Sequence, residues 1–299
     1  MNTLFAKFAQ SFTIIFLLLV TAKAQTLIGA TCDIEVQSQR VGENSIEYIK
    51  AGSGTPVVLL HGLYAQKEQW SEVACELSSA GFMVIAPDLP GYGKSIHFPV
   101  EDYRLERQVE LLHRFADLLA LRKIHIAGSS MGGAIASMYV NKYPGQVHSL
   151  AFFGSPLGIG PWGVKVKAAL SQGVNPFIPI TIDQFNSEME LLFYKPPEVP
   201  KIIKDQLLAD YRKSNRHYQQ VWNIVNLYMN QIARSSPVHI PTLILWGKQD
   251  EIFPVAGLVA LQAKYPGNEH YILSDAGHLL MLEKPKEASF QYIQFLKQR

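Results

Sequence analysis

Cysteine is scarce in this 299-residue chain, which has only Cys32 and Cys75. Two are too few for a disulfide framework, although one bond between them would suit an exported protein whose fold brings them together. Metal motifs are missing as well. There is no CxxC, no HExxH and no His/Cys cluster at ligand spacing, so neither a structural nor a catalytic zinc is expected. Charged residues make up 17% of the chain and balance to +2. The lysines and arginines are scattered, so no basic stripe argues for nucleic acid and no acidic run argues for a tail. The apolar run from Phe12 to Val20 is too short to cross the ~30 Å of a bilayer as a helix. With Lys7 before it and the small residues Ala22 and Ala24 after it, this run reads as a secretory signal peptide over residues 1–24. Export to the periplasm or the medium is therefore the expectation, with a mature start at Gln25, and an uncleaved membrane anchor is the alternative. Lipid attachment at Cys32 is disfavoured, because "GATC" lacks the apolar residue that a lipoprotein signal carries three positions before its cysteine.

What is present is a large apolar content, 48% of residues, enough for one sizeable domain or a core with an insertion. "IEVQSQRV" and "SIEYIKAG" alternate polar and apolar residues around "GEN", so they read as an antiparallel pair of half-buried strands. "PVVLLHG", "FMVIAPD", "KIHIAGS", "VHSLAFFG" and "PTLILWG" are continuously apolar, as strands covered on both faces of a parallel sheet must be. Helical patterns lie between them, over 102–121 and 131–143; the first places Leu105, Val109, Leu112, Phe115, Leu118 and Leu119 on one face. Strand alternates with helix, so the class is α/β. The alternation breaks between about Ser155 and Ser236, where prolines and helical patterns replace strands. This divides the mature chain into a core of residues 25–154 and 237–299 and a helical insertion over 155–236. The insertion is rich in aromatics, among them Trp162, Phe177, Phe185, Phe193, Tyr194 and Trp222. As a group these suit the lining of an apolar substrate pocket.

Gly128-Ser129-Ser130-Met131-Gly132 matches GxSxG with Ser130 at the centre. Such a match arises by chance in roughly one chain of this length in ten, so its setting matters more than its letters. A strand ends at Gly128 and a helix begins near Met131, and that is the tight turn on which this motif exposes a nucleophile. Glycines on either side avoid crowding it. A serine hydroxyl needs a base, and the base needs an orienting group. His278 in "SDAGHLLMLEKP" and Asp250 in "LWGKQDEIFP" follow strand-like segments, giving the chain order Ser130, Asp250, His278. His278 would take the proton from Ser130 and later donate it to the leaving group, while Asp250 fixes the histidine tautomer. His61 and Gly62 end another buried strand, where the backbone N–H of Leu63 can join that of Met131 as an oxyanion hole.

Together, "LLHGL", "VIAPDLPGYGKS", "GSSMGG", "LWGKQDEIFP" and "AGHLLMLEKP" resemble the α/β-hydrolase superfamily from about Val41 to the C terminus. The resemblance implies an eight-stranded, mostly parallel sheet with a helical cap inserted after the sixth strand. Carried over residue by residue, it implies Ser130 as nucleophile, Asp250 as acid, His278 as base and the amides of Leu63 and Met131 as oxyanion hole, with no cofactor. Neighbouring residues read as scaffold: Asp88 as part of a structural loop, Ser129 as one place short of the motif centre, Asp275 as a turn former, and Glu283 as a support for the histidine loop. His61 and His125 have weaker claims than His278.

Serine in place of aspartate as nucleophile argues against dehalogenases and epoxide hydrolases. "SMGG" is similar to carbon–carbon hydrolases of ring-cleavage products, but Ser129 stands where those have asparagine and Leu279 where a tryptophan often follows the histidine. The signal and the apolar insertion are closer to small exported bacterial lipases and monoacylglycerol-lipase-like esterases. The expected substrate is thus a small acyl ester or lipid, with transient lipid-interface contact through the cap. A peptidase or amidase of the same fold, or a non-catalytic binding protein, are the competing readings.

Overall fold

In the computed structural model, residues 32–228, 231–234 and 236–299 are described; the expected signal peptide lies outside them. The antiparallel pair forms as expected, with β1 (Ile34–Val41) and β2 (Asn44–Ala51) joined by a tight turn in which Gly42 takes φ +68°. The apolar runs become β3 (Thr55–Leu60), β4 (Phe82–Pro87), β5 (Ile124–Ser130), β6 (Val147–Pro156), β7 (Thr242–Gly247) and β8 (Glu269–Leu273). One sheet takes the order β1-β2-β4-β3-β5-β6-β7-β8. Its first two pairings are antiparallel and the rest parallel. The loops after β3, β5, β7 and β8 consequently gather at the carboxyl edge of the sheet, where open α/β sheets bind ligands.

Helices cover both faces: α1 (Ser71–Ser79), α2 (Leu105–Leu118), α3 (Met131–Lys142), α4 (Val164–Ser171), α5 (Ile182–Leu192), α6 (Lys201–Lys213), α7 (Asn215–Asn226), α8 (Gln231–Arg234), α9 (Leu258–Lys264), α10 (Leu280–Glu283) and α11 (Pro285–Leu296). Because side chains alternate along a strand, the buried strands feed two cores. Val57 and Leu59 join Ala127, Phe153, Leu243 and Leu245 under α1 and α11, whereas Val58 and Leu60 join Ile126, Phe152, Ile244 and Trp246 under α2, α3 and α9. Each of the valine, leucine, isoleucine and phenylalanine side chains among them contributes about 1.5–3 kcal/mol by leaving water. This two-sided burial is why the strands read as continuous apolar runs.

The helix expected over 102–121 is shorter. Val100–Tyr103 forms a separate 3-10 turn, and Arg104 is extended (ψ 137°), so α2 starts at Leu105. At its other end Ala120 takes φ 55°, and the Leu121 amide reaches back to the Ala116 carbonyl, closing the helix with a left-handed cap. Leu118 faces solvent instead of the core. Between β6 and β7 the described chain is helical, α4 to α8, although β6 runs on to Pro156, where it pairs with Ser130. The strand therefore continues past Ser155, where the sequence pattern ends it, because the turn after β5 offers it a partner.

Cys32 and Cys75 are joined in a disulfide that ties the segment before β1 to α1 across 43 residues. In a chain-entropy picture a loop of that length contributes about 4 kcal/mol, and measured effects run from about 2 to 4. The expected result for Cys75→Ser is a melting temperature several degrees lower, with the secondary structure at 25 °C retained, because the bond joins only the segment before β1 to α1. An unchanged melting temperature would show that the bond adds no stability.

Candidate active site

The turn after β5 is the most constrained backbone in the site. Ser130, the last residue of β5, adopts φ 52°, ψ −116° immediately before the first turn of α3. A non-glycine residue in that region is costly and persists only where its surroundings fix it. Two glycines supply the room: a Cβ on Gly128 would collide with the Gly132 carbonyl and the Gly133 amide, and one on Gly132 with the Leu60 and His61 carbonyls. Ser129 is fully buried, its Oγ without a partner among the described residues. Ser130 is part-exposed and lines a cavity of about 450 Å³.

The loop after β7 supplies the carboxylate. Asp250 Oδ1 accepts from the Ile252 and Phe253 amides, both at 2.9 Å, and Oδ2 lies 2.9 Å from His278 Nδ1. Both residues are buried. An ionised carboxylate can only accept, so Nδ1 carries the proton and Nε2 is left as an acceptor. Among the described residues no hydrogen bond joins Ser130 Oγ to His278; both line the same cavity, and such contacts often tighten only with substrate bound. Asp275 is exposed and takes φ 53° in the turn before His278, which fits a turn former.

The loop after β3 packs directly against the serine, since a Cβ on Gly62 would lie 3.4 Å from that of Ser130. Leu63 and Met131 both line the cavity. The Met131 amide opens α3, and the first amides of a helix have no partner within it. Behind this loop, the Leu89 amide donates to His61 Nε2 (3.0 Å), so Nδ1–H donates to the Gly62 carbonyl (2.8 Å). Burial, the largest influence, lowers the pKa of His61, consistent with a neutral structural imidazole. Asp88 is an anchor too. It accepts from the Lys67 and Lys94 amides and from Lys67 Nζ at 2.7–2.9 Å, and Lys67 also reaches Glu47 and Glu68. His125 is buried in β5, bonded to Ser149 Oγ at 2.7 Å.

Glu283 proves more connected than a supporting role suggests. Its Oε2 accepts from the Gly277 amide (2.6 Å), beside His278, and its Oε1 from the Tyr194 and Lys195 amides (2.9 and 3.1 Å) after α5. The Leu279 amide donates to the Leu192 carbonyl across the same seam (3.1 Å). One carboxylate thus couples the histidine loop to the helical segment above it. For Glu283→Ala the expected result is about a tenfold fall in kcat, since small misplacements of a reacting group are expensive, with partial recovery in Glu283→Gln. Steady-state kinetics beside a melting curve separate this from simple unfolding.

The upper wall of the cavity comes from the helices between β6 and β7. Trp162, Phe177, Phe185 and Phe193 line it; Trp222 stacks on Trp162 from behind, and Tyr194 lies outside, 39% exposed. Two polar liners, Glu188 and Tyr211, escape the sequence reading. Phe185, Glu188, Met189 and Leu192 sit at i, i+3, i+4 and i+7, so the signal was an acid inside an apolar helical stripe. Burial pushes the Glu188 carboxyl up to about 8.

Known proteins share this fold. The profile of the alpha/beta hydrolase fold matches residues 55–176 and 193–285. Lipase 1 of Psychrobacter immobilis is 30% identical over 273 residues, 88% of this chain and 84% of that one. Monoacylglycerol lipase ABHD6 of Mus musculus is 28% identical, over 83% of this chain and 77% of its own. A solved structure of a membrane phospholipase A, described as a bacterial virulence factor, superposes with a TM-score of 0.83 at 27% identity, covering 96% of this chain and 93% of that one. With its sheet order, its strained turn after β5 and these matches, the chain belongs to the α/β-hydrolase family.

Proposed function

We propose that this protein is an exported hydrolase of carboxylic esters that works through an acyl–Ser130 intermediate. The carrying observation is the convergence of Ser130, on its strained turn, and the buried His278–Asp250 pair on one largely apolar cavity. His278 Nε2 accepts the Ser130 proton as Oγ attacks the ester carbonyl, and the amides of Leu63 and Met131 receive the developing oxyanion. The same imidazolium protonates the departing alcohol. Water then attacks the acyl carbon, giving a proton to His278, which returns it to Ser130 Oγ as the acyl–Oγ bond breaks and the acid leaves. Asp250 holds the tautomer throughout. No cofactor is required.

The likeness to Lipase 1, to a monoacylglycerol lipase and to a phospholipase A supports an acyl ester or lipid as substrate. Residues 155–236 are assigned as the cap and residues 25–154 and 237–299 as the core. Val164, Ile180, Ile202 and Leu227 are exposed apolar residues of the cap, which suits transient contact with a lipid interface. Export rests on the apolar run of residues 12–20, with residues 1–24 as signal, and is supported by the Cys32–Cys75 disulfide, a bond that persists in oxidising compartments. The test is a panel of p-nitrophenyl esters from acetyl to palmitoyl, with and without lipid vesicles. Hydrolysis that is lost in Ser130→Ala supports the reading. Absence of ester hydrolysis, with release of an amine from peptides instead, would replace it with a peptidase.

A further inference from the structure

Most charged side chains that line the cavity sit toward solvent: Glu72, Lys195, Asp275, Glu283 and Lys284 are part-exposed or exposed. Glu188 differs. It is 6% exposed, on α5, within a wall made of Phe185, Met189 and Leu192. Its Oε1 accepts from the Tyr211 hydroxyl of α6 at 3.5 Å, a long contact, and among the described residues no second donor reaches the carboxyl. Gln69, the other long polar side chain buried at the cavity, is already engaged, with Oε1 on the Gly62 amide and Nε2 on the Met281 sulfur. A carboxyl in an apolar wall, half-satisfied and facing space, is expensive unless something in that space bonds to it. Nothing in the acyl-transfer chemistry uses it.

We propose that Glu188 and Tyr211 form a hydroxyl-binding subsite of the substrate cavity, which makes neutral polyol monoesters better substrates than alkyl esters of the same acyl chain. This rests on the ester-hydrolase reading above. A hydroxyl donates and accepts at once, and a buried carboxyl that keeps its proton at neutral pH does the same. An anionic head group would meet an acid instead of a cation, so phosphate esters fit poorly. The subsite shares its cavity with the reacting end, since Glu188 and Tyr211 line the same space as Ser130, Leu63 and Tyr64. A substrate lacking the hydroxyl leaves the buried carboxyl unpaired, and a site built to bond a hydroxyl rejects such an analogue far more strongly than an apolar pocket rejects a missing methylene.

The test compares kcat/KM for 1-octanoylglycerol with that for propyl octanoate, which is the same ester without its two free hydroxyls. Wild type is expected to prefer the glyceryl ester by about tenfold or more. Glu188→Met should collapse that ratio toward one by losing the glyceryl ester alone, with the propyl ester within about threefold. Glu188→Gln, which still donates and accepts, should keep most of the preference. Tyr211→Phe should lower the ratio by a few-fold and serves should the methionine variant fail to fold. A wild type that hydrolyses both esters equally, or variants in which both rates fall together, would overturn the subsite alone. A wild type that hydrolyses neither ester and is not labelled by a fluorophosphonate would overturn the ester-hydrolase reading, and the subsite with it.

Discussion

Ser130→Ala is expected to lower ester turnover by about 10⁴- to 10⁶-fold, the range seen when a nucleophile of this type is removed. The melting temperature should stay within a few degrees of wild type. The change deletes the attacking oxygen and nothing else: Ser130 is part-exposed on the cavity, and alanine meets the same φ of 52° with a side chain of the same branching. Residual hydrolysis should remain above the background in water, since the oxyanion amides and the cavity still bind and polarise the ester. Ser129→Ala is the matching control. Its Oγ is buried without a partner among the described residues, so its loss removes no bond, and activity should change by no more than about twofold. If the two variants exchanged behaviours, the centre of the motif would have been assigned one residue too late.

Asp250→Asn should cost about 10⁴-fold in kcat, with the fold intact. The reason lies in the bonds the carboxylate makes. Oδ1 accepts from two backbone amides while Oδ2 faces His278 Nδ1. The asparagine oxygen stays with the two amides, so its NH₂ turns toward Nδ1 and the imidazole must accept there. The ring proton then sits on Nε2, where it blocks removal of the Ser130 proton. Asp275→Asn should differ from wild type by no more than about twofold, because Asp275 is exposed and asparagine tolerates its φ of 53° as readily as aspartate. Kinetics of the two variants under one set of conditions decide between the acids; a large loss confined to Asp275→Asn would reassign the role.

The parallel strands were legible because burial on both faces writes itself into sequence as unbroken apolar runs, and each run forms a strand. Ser130 was legible for a related reason: only glycine fits at positions 128 and 132, so the turn leaves a pattern in the letters. Pairing Asp250 with His278 followed from strand order, and the structure puts them 2.9 Å apart. Less was legible where tertiary context decides. The ends of α2 depend on Arg104 being extended and Ala120 being left-handed, and neither residue type announces this. The bonds from Glu283 to Tyr194 and Lys195 cross 89 and 88 residues, a distance no local pattern encodes. Glu188 carried a signal, an acid in an apolar stripe, but the stripe alone does not say that a cavity lies against it. The disulfide needed the fold to bring Cys32 to Cys75.

The central claim is that a covalent acyl group resides on Ser130, and mass mapping after rapid acid quench of p-nitrophenyl ester turnover tests it most directly. The expected result is a single acyl adduct on the peptide containing Ser130, matched by a fluorophosphonate adduct at the same residue, with both absent in Ser130→Ala and formed far more slowly in His278→Ala. An acyl group recovered on another side chain, or full turnover without any adduct and unaffected by Ser130→Ala, would contradict it.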